Sequence, residues 1–234
     1  MAPPTALSIA GSDPGGGAGI QADLKTFRDL DVYGMAVITA LTVQNTRGVR
    51  SVHPMDPAIV RAQIEAVFDD LPVDVVKIGM VGDAAAAIAA AIPAGVRIVL
   101  DPVMVAKDGT ALLRGSLAPL LARAMLVTPN LSEAEVLGPL DVPTLIKGGH
   151  GTGDEVVDRL GAREWRHPRL PVHAHGTGCT LSSAIAAYLA RGFPLEEACE
   201  RAIAYVSGLL AVSLEIGGGL GGGHPPLLHG LRHR

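Results

Sequence analysis

Short apolar runs alternate along the chain with longer runs rich in alanine and leucine. The short runs are apolar over most of their length, which is typical of strands in a parallel sheet that is covered on both faces. Such strands are predicted near residues 6–10, 35–43, 73–78, 96–100, 125–127 and 144–147. The longer runs have helical spacing and predict helices at 19–30, 57–68, 83–92, 131–137, 177–191 and 194–214. This order predicts an α/β fold with a doubly wound, mostly parallel sheet and helices on both faces.

The C-terminal third of the chain departs from this alternation. In the last predicted helix Ala198, Ala202, Tyr205 and Leu209 recur at helical spacing, so the final two helices are expected to pack as an antiparallel pair. Between residues 155 and 172 the periodicity weakens and charges become more frequent, which predicts a small hairpin. A chain of 234 residues is within the range of one large α/β unit, so residues 1–234 are expected to form a single domain.

The charge and apolar patterns argue against nucleic acid and membranes as partners. The formal net charge is -4 and no cluster of Lys and Arg is present, whereas nucleic-acid surfaces need concentrated cations. The longest apolar stretch, residues 84–92, ends at Pro93 and is too short to cross a bilayer. With two cysteines and no signal-peptide pattern at the N-terminus, the chain is expected to be cytoplasmic.

A first glycine-rich loop, Gly11-Ser12-Asp13-Pro14-Gly15-Gly16-Gly17-Ala18-Gly19, follows the first strand and opens a helix. Backbone amides at such a position favour an anion or a closely held ligand. The spacing matches neither a Walker A loop nor the GxGxxG dinucleotide motif, and a structural turn is an equally good interpretation.

A second loop, His175-Gly176-Thr177-Gly178-Cys179-Thr180, stands directly before an alanine-rich helix. Free amides and the positive dipole end of a helix suit the charge on a phosphoryl group in transfer, so Gly176, Thr177 and Gly178 are predicted to form an anion hole. The same field is expected to lower the pKa of Cys179 and to make it a thiolate, a base or a hydrogen-bond acceptor. A small buried residue at a helix start is the alternative interpretation. Cys199 is predicted to lie in the core.

Polar residues also follow three of the later predicted strands. Asp101 comes after the strand at 96–100, and Asn130 and Glu133 come after the strand at 125–127. Ligands of open α/β sheets gather at these carboxyl ends, and the three oxygen donors suit a hydrated Mg²⁺. Taken alone, Asn130 and Glu133 are better explained as a helix capping box. Lys147 and Gly148 follow the next strand, where the lysine is predicted either to contact nucleotide phosphates or to be solvated.

Eight stretches of the sequence, taken together, strongly resemble one family. They are GSDPGGGAGIQADLKTF, YGMAVITALTVQNTRGV, VKIGMVG, LDPVMVAKDG, TPNLSEAEVLG, IKGGH, HGTGCTLSSAIAAYLARG and AYVSGLL. The family is the hydroxymethylpyrimidine/phosphomethylpyrimidine kinases of thiamine biosynthesis, of the ribokinase-like superfamily. The resemblance runs in order from about Leu7 to Gly230 and implies a ribokinase-like fold. It also implies that ATP and Mg²⁺ serve two phosphorylations, of 4-amino-5-hydroxymethyl-2-methylpyrimidine and of its monophosphate.

The resemblance places the substrates on particular residues. Gln44 is expected to recognise the pyrimidine, because a side-chain amide donates and accepts hydrogen bonds at once. Thr42 shares its strand face with Gln44. The other residues implied on the pyrimidine side are Asp23, Gly11, Ala18 and Met80. The residues expected on the ATP side are Lys147, Gly148 and Thr177, with Cys179 beside the transferred group.

The chain also departs from the family pattern. Members usually have an additional helix between the one that carries Glu133 and the strand that ends at Lys147, whereas only residues 138–143 remain here. Two alternative functions therefore stay open. One is a pyridoxal kinase, whose substrate is also a nitrogen heterocycle with a hydroxymethyl group. The other is a catalytically weak homologue that binds the pyrimidine. Resemblance to the superfamily suggests a homodimer.

Overall fold

The computed structural model describes residues 2–105, 109–172, 174–215, 223–224 and 226–230. The strands are β1 (Thr5–Ser12), β2 (Tyr33–Asn45), β3 (Gly48–Pro54), β4 (Val75–Ile78), β5 (Arg97–Leu100), β6 (Leu126–Val127), β7 (Leu145–Ile146), β8 (Glu155–Leu160) and β9 (Arg163–Pro168). The helices are α1 (Gly19–Asp29), α2 (Pro57–Asp70), α3 (Ala85–Ala91), α4 (Ala118–Leu121), α5 (Leu131–Leu137), α6 (Thr177–Ala190) and α7 (Leu195–Glu215). None of the helices in these ranges is both long and apolar enough to cross a membrane.

The main sheet has six strands in the order β3-β2-β1-β4-β5-β6. β1 pairs in parallel with β2 and β4, and β5 pairs in parallel with β4 and β6. Only β3, which the sequence analysis did not predict, is antiparallel in this sheet. Its residues are half-buried or exposed because it is an edge strand with one partner, so it lacks the apolar run by which the other strands were recognised.

A second sheet of three antiparallel strands has the order β7-β8-β9. The predicted strand at 144–147 contains β7, which pairs antiparallel with β8. The same segment also runs alongside β6, because parallel bridges join Val127 to Thr144 and Asn130 to Lys147. The Val127 amide donates to the Pro143 carbonyl at 3.0 Å, and the Lys147 amide donates to the Pro129 carbonyl at 2.8 Å. β8 and β9 form the hairpin that the change in periodicity predicted.

Side-chain alternation along β4 shows how the two faces of the main sheet are covered. Val75 packs in a cluster with residues of α1, α6 and α7, whereas Val76 and Ile78 pack in a second cluster with residues of α2, α3 and α4. Each fully buried aliphatic side chain of this kind contributes roughly 1.5–3 kcal/mol. Helices therefore cover both faces, as predicted, and α6 and α7 share one cluster with the fully buried Cys199.

The connection between α5 and β7 is short. α5 ends at Gly138, which has a left-handed φ of 65° that favours glycine. Residues 139–144, all of which are described, contain no helix, so the segment is as short as the sequence indicated. The carboxyl ends of the parallel strands and the first residues of α1, α5 and α6 remain open to one cavity.

Candidate active site

A cavity of about 920 Å³ lies at the carboxyl ends of the parallel strands. It brings together most of the residues that the sequence pointed to, although they are spread from residue 11 to residue 179. The predicted site residues that line it are Gly11, Ala18, Thr42, Gln44, Met80, Asp101, Asn130, Glu133, Lys147, Gly176, Thr177, Gly178 and Cys179. Asp23 and Gly148 are not part of the lining.

The end of β2 and the loops after β1 and β4 form one side of the cavity. Thr42 and Gln44 face it, whereas Leu41 and Val43 are exposed on the other face of β2, as the alternation predicted. The Thr42 hydroxyl donates to the Ser12 carbonyl at 2.8 Å, which ties β2 to the first glycine-rich loop. This side is therefore a wall of strand and loop residues to which Gln44 contributes a side-chain amide.

Gly11 and Met80 meet at the floor of this side. A Cβ atom at Gly11 would lie 3.2 Å from the Met80 sulfur, which is closer than most Cβ contacts. The Met80 carbonyl accepts a hydrogen bond from Thr39 at 2.6 Å, which holds the turn after β4 against β2. Because residue 11 is glycine, the apolar side chain of Met80 has room at the cavity lining.

The first glycine-rich loop folds around the carboxylate of Asp13, a residue that the sequence analysis did not single out. The amides of Gly15, Gly17 and Ala18 donate to it at 2.8, 3.0 and 2.9 Å. These amides are therefore bound within the loop, which supports the structural-turn interpretation of the two that the sequence left open. An Asp two residues before a glycine is a turn signal that could have indicated this arrangement.

Hydrogen bonding decides the ionisation of Asp13. Burial alone would raise the pKa of its carboxyl, but hydrogen bonds from His175, Gln44 and the Gly15 amide outweigh burial and hold the pKa well below its usual range. The Asp13 side chain is therefore an anion around which the first glycine-rich loop folds.

The two glycine-rich loops are in direct contact. His175 Nε2 lies 3.2 Å from Asp13 Oδ2. Gly176 has a left-handed φ of 80°, and a Cβ atom there would overlap the carbonyl oxygen of Gly17. Only glycine permits this approach, so the second loop is seated on the first.

The start of α6 is an anion-binding position of the kind that the sequence predicted. No side chain in the described part of the protein caps the helix at Gly176, so its first amides are not occupied by a cap. A Cβ atom at Gly178 would lie 3.3 Å from Lys147 Nζ and 3.9 Å from Asp101 Oδ2, so two charged side chains flank these amides. Amides and a cation together favour a phosphate group here.

Cys179 lies between the starts of α6 and α1. Burial raises the pKa of its thiol, while the charge of Lys77 and a hydrogen bond from the Gly19 amide oppose that effect without cancelling it. The expectation of a lowered pKa is therefore wrong, because loss of water around the sulfur outweighs the field of the helix start. Cys179 is a neutral thiol at neutral pH.

Lys147 is not a solvated strand-end lysine. Its ammonium pairs with Asp101 Oδ1 at 2.6 Å, and the side chain is 12% exposed. Burial acts to lower the pKa of Lys147, but Asp101 and Glu133 raise it above its usual value. The lysine is therefore a cation that stands beside the start of α6.

Asn130 and Glu133 form the capping box that the sequence analysis weighed. The Glu133 amide donates to Asn130 Oδ1 at 2.9 Å, and the Asn130 amide donates to Glu133 Oε2 at 2.8 Å. Burial raises the pKa of Glu133, with Lys147 opposing it. No group of three or more His, Cys, Asp or Glu side chains that could hold a metal ion occurs among the described residues.

The structure places two predicted residues outside the cavity. Asp23 is fully buried behind the wall, where Lys77 and two serine hydroxyls bind its carboxylate, so it does not contact a pyrimidine. The Gly148 amide donates to Asp158 Oδ1 at 2.8 Å, and a Cβ atom at Gly148 would overlap the backbone of Val157. Gly148 thus packs on the hairpin of β8 and β9 and does not face a nucleotide.

The last described residues close one side of the site. The His224 amide donates to the Thr46 carbonyl at 2.7 Å, and His229 Nε2 lies 3.1 Å from the Thr180 hydroxyl on α6. Leu227 is buried in a cluster with Ala174 and Leu209. No motif in the sequence indicated a role for this segment.

A second groove of about 1270 Å³ lies elsewhere, between α5, the hairpin and the start of α7. It includes Gly138, Leu140 and Pro143, where the additional family helix is absent, and none of the predicted site residues lines it. The chemistry-bearing residues therefore belong to the cavity at the carboxyl ends of the parallel strands.

Comparison with known proteins supports the sequence resemblance. The chain matches the family model for phosphomethylpyrimidine kinase over residues 13–144 and 140–224. It is 48% identical over 254 residues to the hydroxymethylpyrimidine/phosphomethylpyrimidine kinase of Rhizobium meliloti, a match that covers 94% of this chain and 96% of that protein. It is 46% identical over 256 residues to the thiamine biosynthesis bifunctional protein ThiED of Geobacter sulfurreducens, which covers 95% of this chain and 51% of ThiED. The chain thus spans about half of that bifunctional relative.

Solved structures confirm the fold class. The phosphomethylpyrimidine kinase of Clostridium difficile 630 superposes with a TM-score of 0.72 at 36% identity, covering 87% of this chain and 98% of that chain. The pyridoxal kinase of Staphylococcus aureus in complex with ADP superposes with a TM-score of 0.82 at 32% identity, covering 98% of this chain and 94% of that chain.

Proposed function

Because the chain belongs to the phosphomethylpyrimidine kinase family, we propose that it transfers the γ-phosphoryl group of ATP to 4-amino-5-hydroxymethyl-2-methylpyrimidine and then to the monophosphate. One observation carries the proposal: the amide of Gln44 and the uncapped start of α6 face the same cavity. Its volume of about 920 Å³ is within the range of small-molecule sites.

The pyrimidine is proposed to lie on the β2 side of the cavity. Gln44, which lines this side, donates to and accepts from the aminopyrimidine edge. Met80 and Gly11 provide the flat apolar contact, with Thr42 and Ala18 as neighbouring walls. The hydroxymethyl group then points towards Cys179.

The γ-phosphate of ATP is proposed to lie on the amides at the start of α6. The amides of Gly176, Thr177 and Gly178 take up the charge of the transferred group, and Lys147 adds a cation beside it. A loose transition state needs little proton transfer, so a neutral Cys179 thiol serves as a hydrogen-bonding partner that orients the attacking oxygen. Positioning and electrostatics supply most of the acceleration.

Asp101, Asn130 and Glu133 are the residues that would hold Mg²⁺. They supply oxygen donors at the edge of the cavity where the phosphates would lie, and Mg²⁺ keeps several waters and needs only one or two carboxylates. Asp101 pairs with Lys147, and Asn130 and Glu133 bind each other's backbone amides in the capping box. When bound, Mg²⁺ would neutralise charge on the phosphates.

A pyridoxal kinase is the second candidate, and the superposition on the Staphylococcus aureus pyridoxal kinase favours it. That protein's heterocycle also bears a hydroxymethyl group. Gln44 and Met80 support the pyrimidine instead, since an amide matches an aminopyrimidine edge better than a pyridine ring with a phenolic oxygen.

A steady-state assay with ATP and Mg²⁺ distinguishes these activities. The proposal predicts that kcat/KM for the pyrimidine alcohol exceeds that for pyridoxal, and that both monophosphate and diphosphate accumulate in turn. A higher kcat/KM for pyridoxal would show that the chain is a pyridoxal kinase, which is the second candidate. Tight binding of the pyrimidine without turnover of any acceptor would identify a binding homologue and refute the kinase activity.

The chain is further proposed to be a cytoplasmic homodimer. Leu41 and Val43 are 48% and 46% exposed on the face of β2 that points away from the cavity. Such neighbouring apolar side chains on a strand suit contact with a second copy. Cys179 and Cys199 are both free thiols, which suits a reducing compartment.

A further inference from the structure

Lys77 is a charged residue in the middle of the parallel sheet. The alternation along β4 directs it, with Val75, towards α1 and α6. Its side chain and that of Asp23 are both 0% exposed, and Lys77 Nζ donates to Asp23 Oδ1 and Oδ2 at 2.9 and 2.8 Å. Burial acts to lower the pKa of Lys77, but Asp23 raises it above its usual range, so the pair is ionic.

Two hydroxyl groups complete the hydrogen bonding of Asp23. Ser8 on β1 donates to Oδ2 at 2.5 Å, and Ser183 on α6 donates to Oδ1 at 2.6 Å. The carboxylate therefore accepts four hydrogen bonds, and these come from β1, β4 and α6 while Asp23 itself belongs to α1. One side chain joins four elements.

This network lies directly behind the candidate active site. α1 begins at Gly19, where the first glycine-rich loop ends, and α6 begins at Thr177, where the second loop ends. Asp23 is about one turn into α1, and Ser183 is in the second turn of α6. The network thus ties the two helices together close to the ends that face the cavity.

Lys77 is one of the residues that line the cavity, although its side chain is 0% exposed. A Cβ atom at Gly79, which lines the cavity, would lie 3.0 Å from Lys77 Nζ. Because the lysine is inaccessible, it acts on bound substrates through the elements that it holds and through its charge. An apolar core of the same volume would be at least as stable as a buried ion pair, so stability alone does not account for these charges.

We propose that Lys77, Asp23 and Ser183 form a positioning network for phosphoryl transfer. It sets the separation between the start of α1, beside the bound heterocycle, and the start of α6, beside the γ-phosphate. The inference rests on the proposed kinase function. A misplacement of about 1 Å between reacting groups can lower a rate by about 100-fold, so the network affects kcat more than substrate binding.

The test compares two buried serine variants, Ser183→Ala and Ser213→Ala. Ser213 on α7 is a matched control, because it is also fully buried and donates to a backbone carbonyl, that of Leu209, at 3.0 Å. We expect Ser183→Ala to lower kcat about tenfold with KM for the alcohol unchanged within about twofold, and Ser213→Ala to change kcat by less than about twofold. Melting temperatures measured on both variants give the accompanying loss of stability.

A double variant provides a second measurement. In Lys77→Met/Asp23→Leu the two charges are removed together, so neither is left buried and unpaired. We expect this protein to fold, with a cooperative melting transition, and to have a kcat about 100-fold below that of the unaltered protein.

The outcomes separate the inference from the function on which it rests. Equal kcat values for Ser183→Ala and Ser213→Ala would overturn the positioning network, whether or not the double variant folds. A folded double variant with full kcat would also overturn it. An unaltered protein that phosphorylates no acceptor would instead refute the proposed function.

Discussion

At the scale of single residues, ionisation in the site is decided by burial and hydrogen bonds. Cys179 stands at a helix start, yet burial raises the pKa of its thiol. Asp13 is also buried, yet its hydrogen bonds lower the pKa of its carboxyl. Sequence position alone indicates neither pKa shift, because each depends on the balance between burial of the group and the hydrogen bonds and charges around it.

The role of Cys179 predicts a difference between the two transfers. The first acceptor is an alcohol whose oxygen needs orientation, whereas the second is already a phosphate and needs no base. We expect Cys179→Ala to lower kcat of the first transfer about 10- to 100-fold and kcat of the second less than about threefold. Both rates can be measured by chromatography of the products.

Cys199→Ala is the matched control for that experiment, since it removes the same sulfur from the core. It is expected to lower stability while leaving the ratio of the two rates unchanged. Equal losses in both transfers for Cys179→Ala would count against the division of roles.

The Asp13 carboxylate predicts a pH dependence of stability. Because its folded pKa is lowered, it stabilises the protein above its unfolded pKa, and this stabilisation is lost as pH falls below about 4. We expect Asp13→Asn to lower the free energy of unfolding at pH 7 by about 1–3 kcal/mol. Urea denaturation of both proteins at pH 7 and at pH 3 to 4 measures the difference, which should shrink at the lower pH. A difference independent of pH would show that the charge is not responsible.

At the scale of elements, the sequence predicts most of the helices and strands, and the exceptions have physical reasons. The six predicted helices and the hairpin of β8 and β9 are where the patterns indicated. β3 escaped prediction because it is half exposed, and the pairing of β7 with β8 was not predicted because a two-residue ladder leaves no distinctive pattern. Asp23 was placed in the pocket because nothing in the sequence indicates the buried Lys77 as its partner.

The start of α6 offers a prediction that separates activity from stability. An alanine at Gly178 should favour the helix, but its Cβ would lie 3.3 Å from Lys147 Nζ and displace the ammonium. We expect Gly178→Ala to lower kcat about tenfold without lowering the melting temperature. Gly208→Ala in α7 is the matched control, because a Cβ there meets nothing within 4 Å. A Gly178→Ala enzyme as active as Gly208→Ala would contradict the proposed place of the phosphate.

At the scale of the whole molecule, the fold brings together residues that the sequence separates by more than 150 positions. The strand order places β1, β4 and β5 side by side, so the loops after them share one cavity with the start of α6. The sequence predicted that these loops lie together, because ligands of open sheets bind at the carboxyl ends of the strands. It could not anticipate the contact between the two glycine-rich loops, which depends on the left-handed backbone of Gly176.

The exposed face of β2 predicts how copies of the chain associate. We expect light scattering to show a dimer for the unaltered protein and a monomer for Leu41→Lys/Val43→Lys. Ile59→Lys, at a similarly exposed apolar position on α2, is the control and should remain dimeric. A dimer that survives the double substitution would place the interface elsewhere.

The central claim is that one cavity holds the pyrimidine at Gln44 and the γ-phosphate at the start of α6. A crystal structure with the pyrimidine alcohol and a non-hydrolysable ATP analogue tests it directly. The account predicts that the Gln44 amide contacts the heterocycle, that the amides of residues 176–179 donate to the γ-phosphate, and that the hydroxymethyl oxygen lies about 3–3.5 Å from the γ-phosphorus. A heterocycle bound away from Gln44, or a γ-phosphate bound away from those amides, would contradict it.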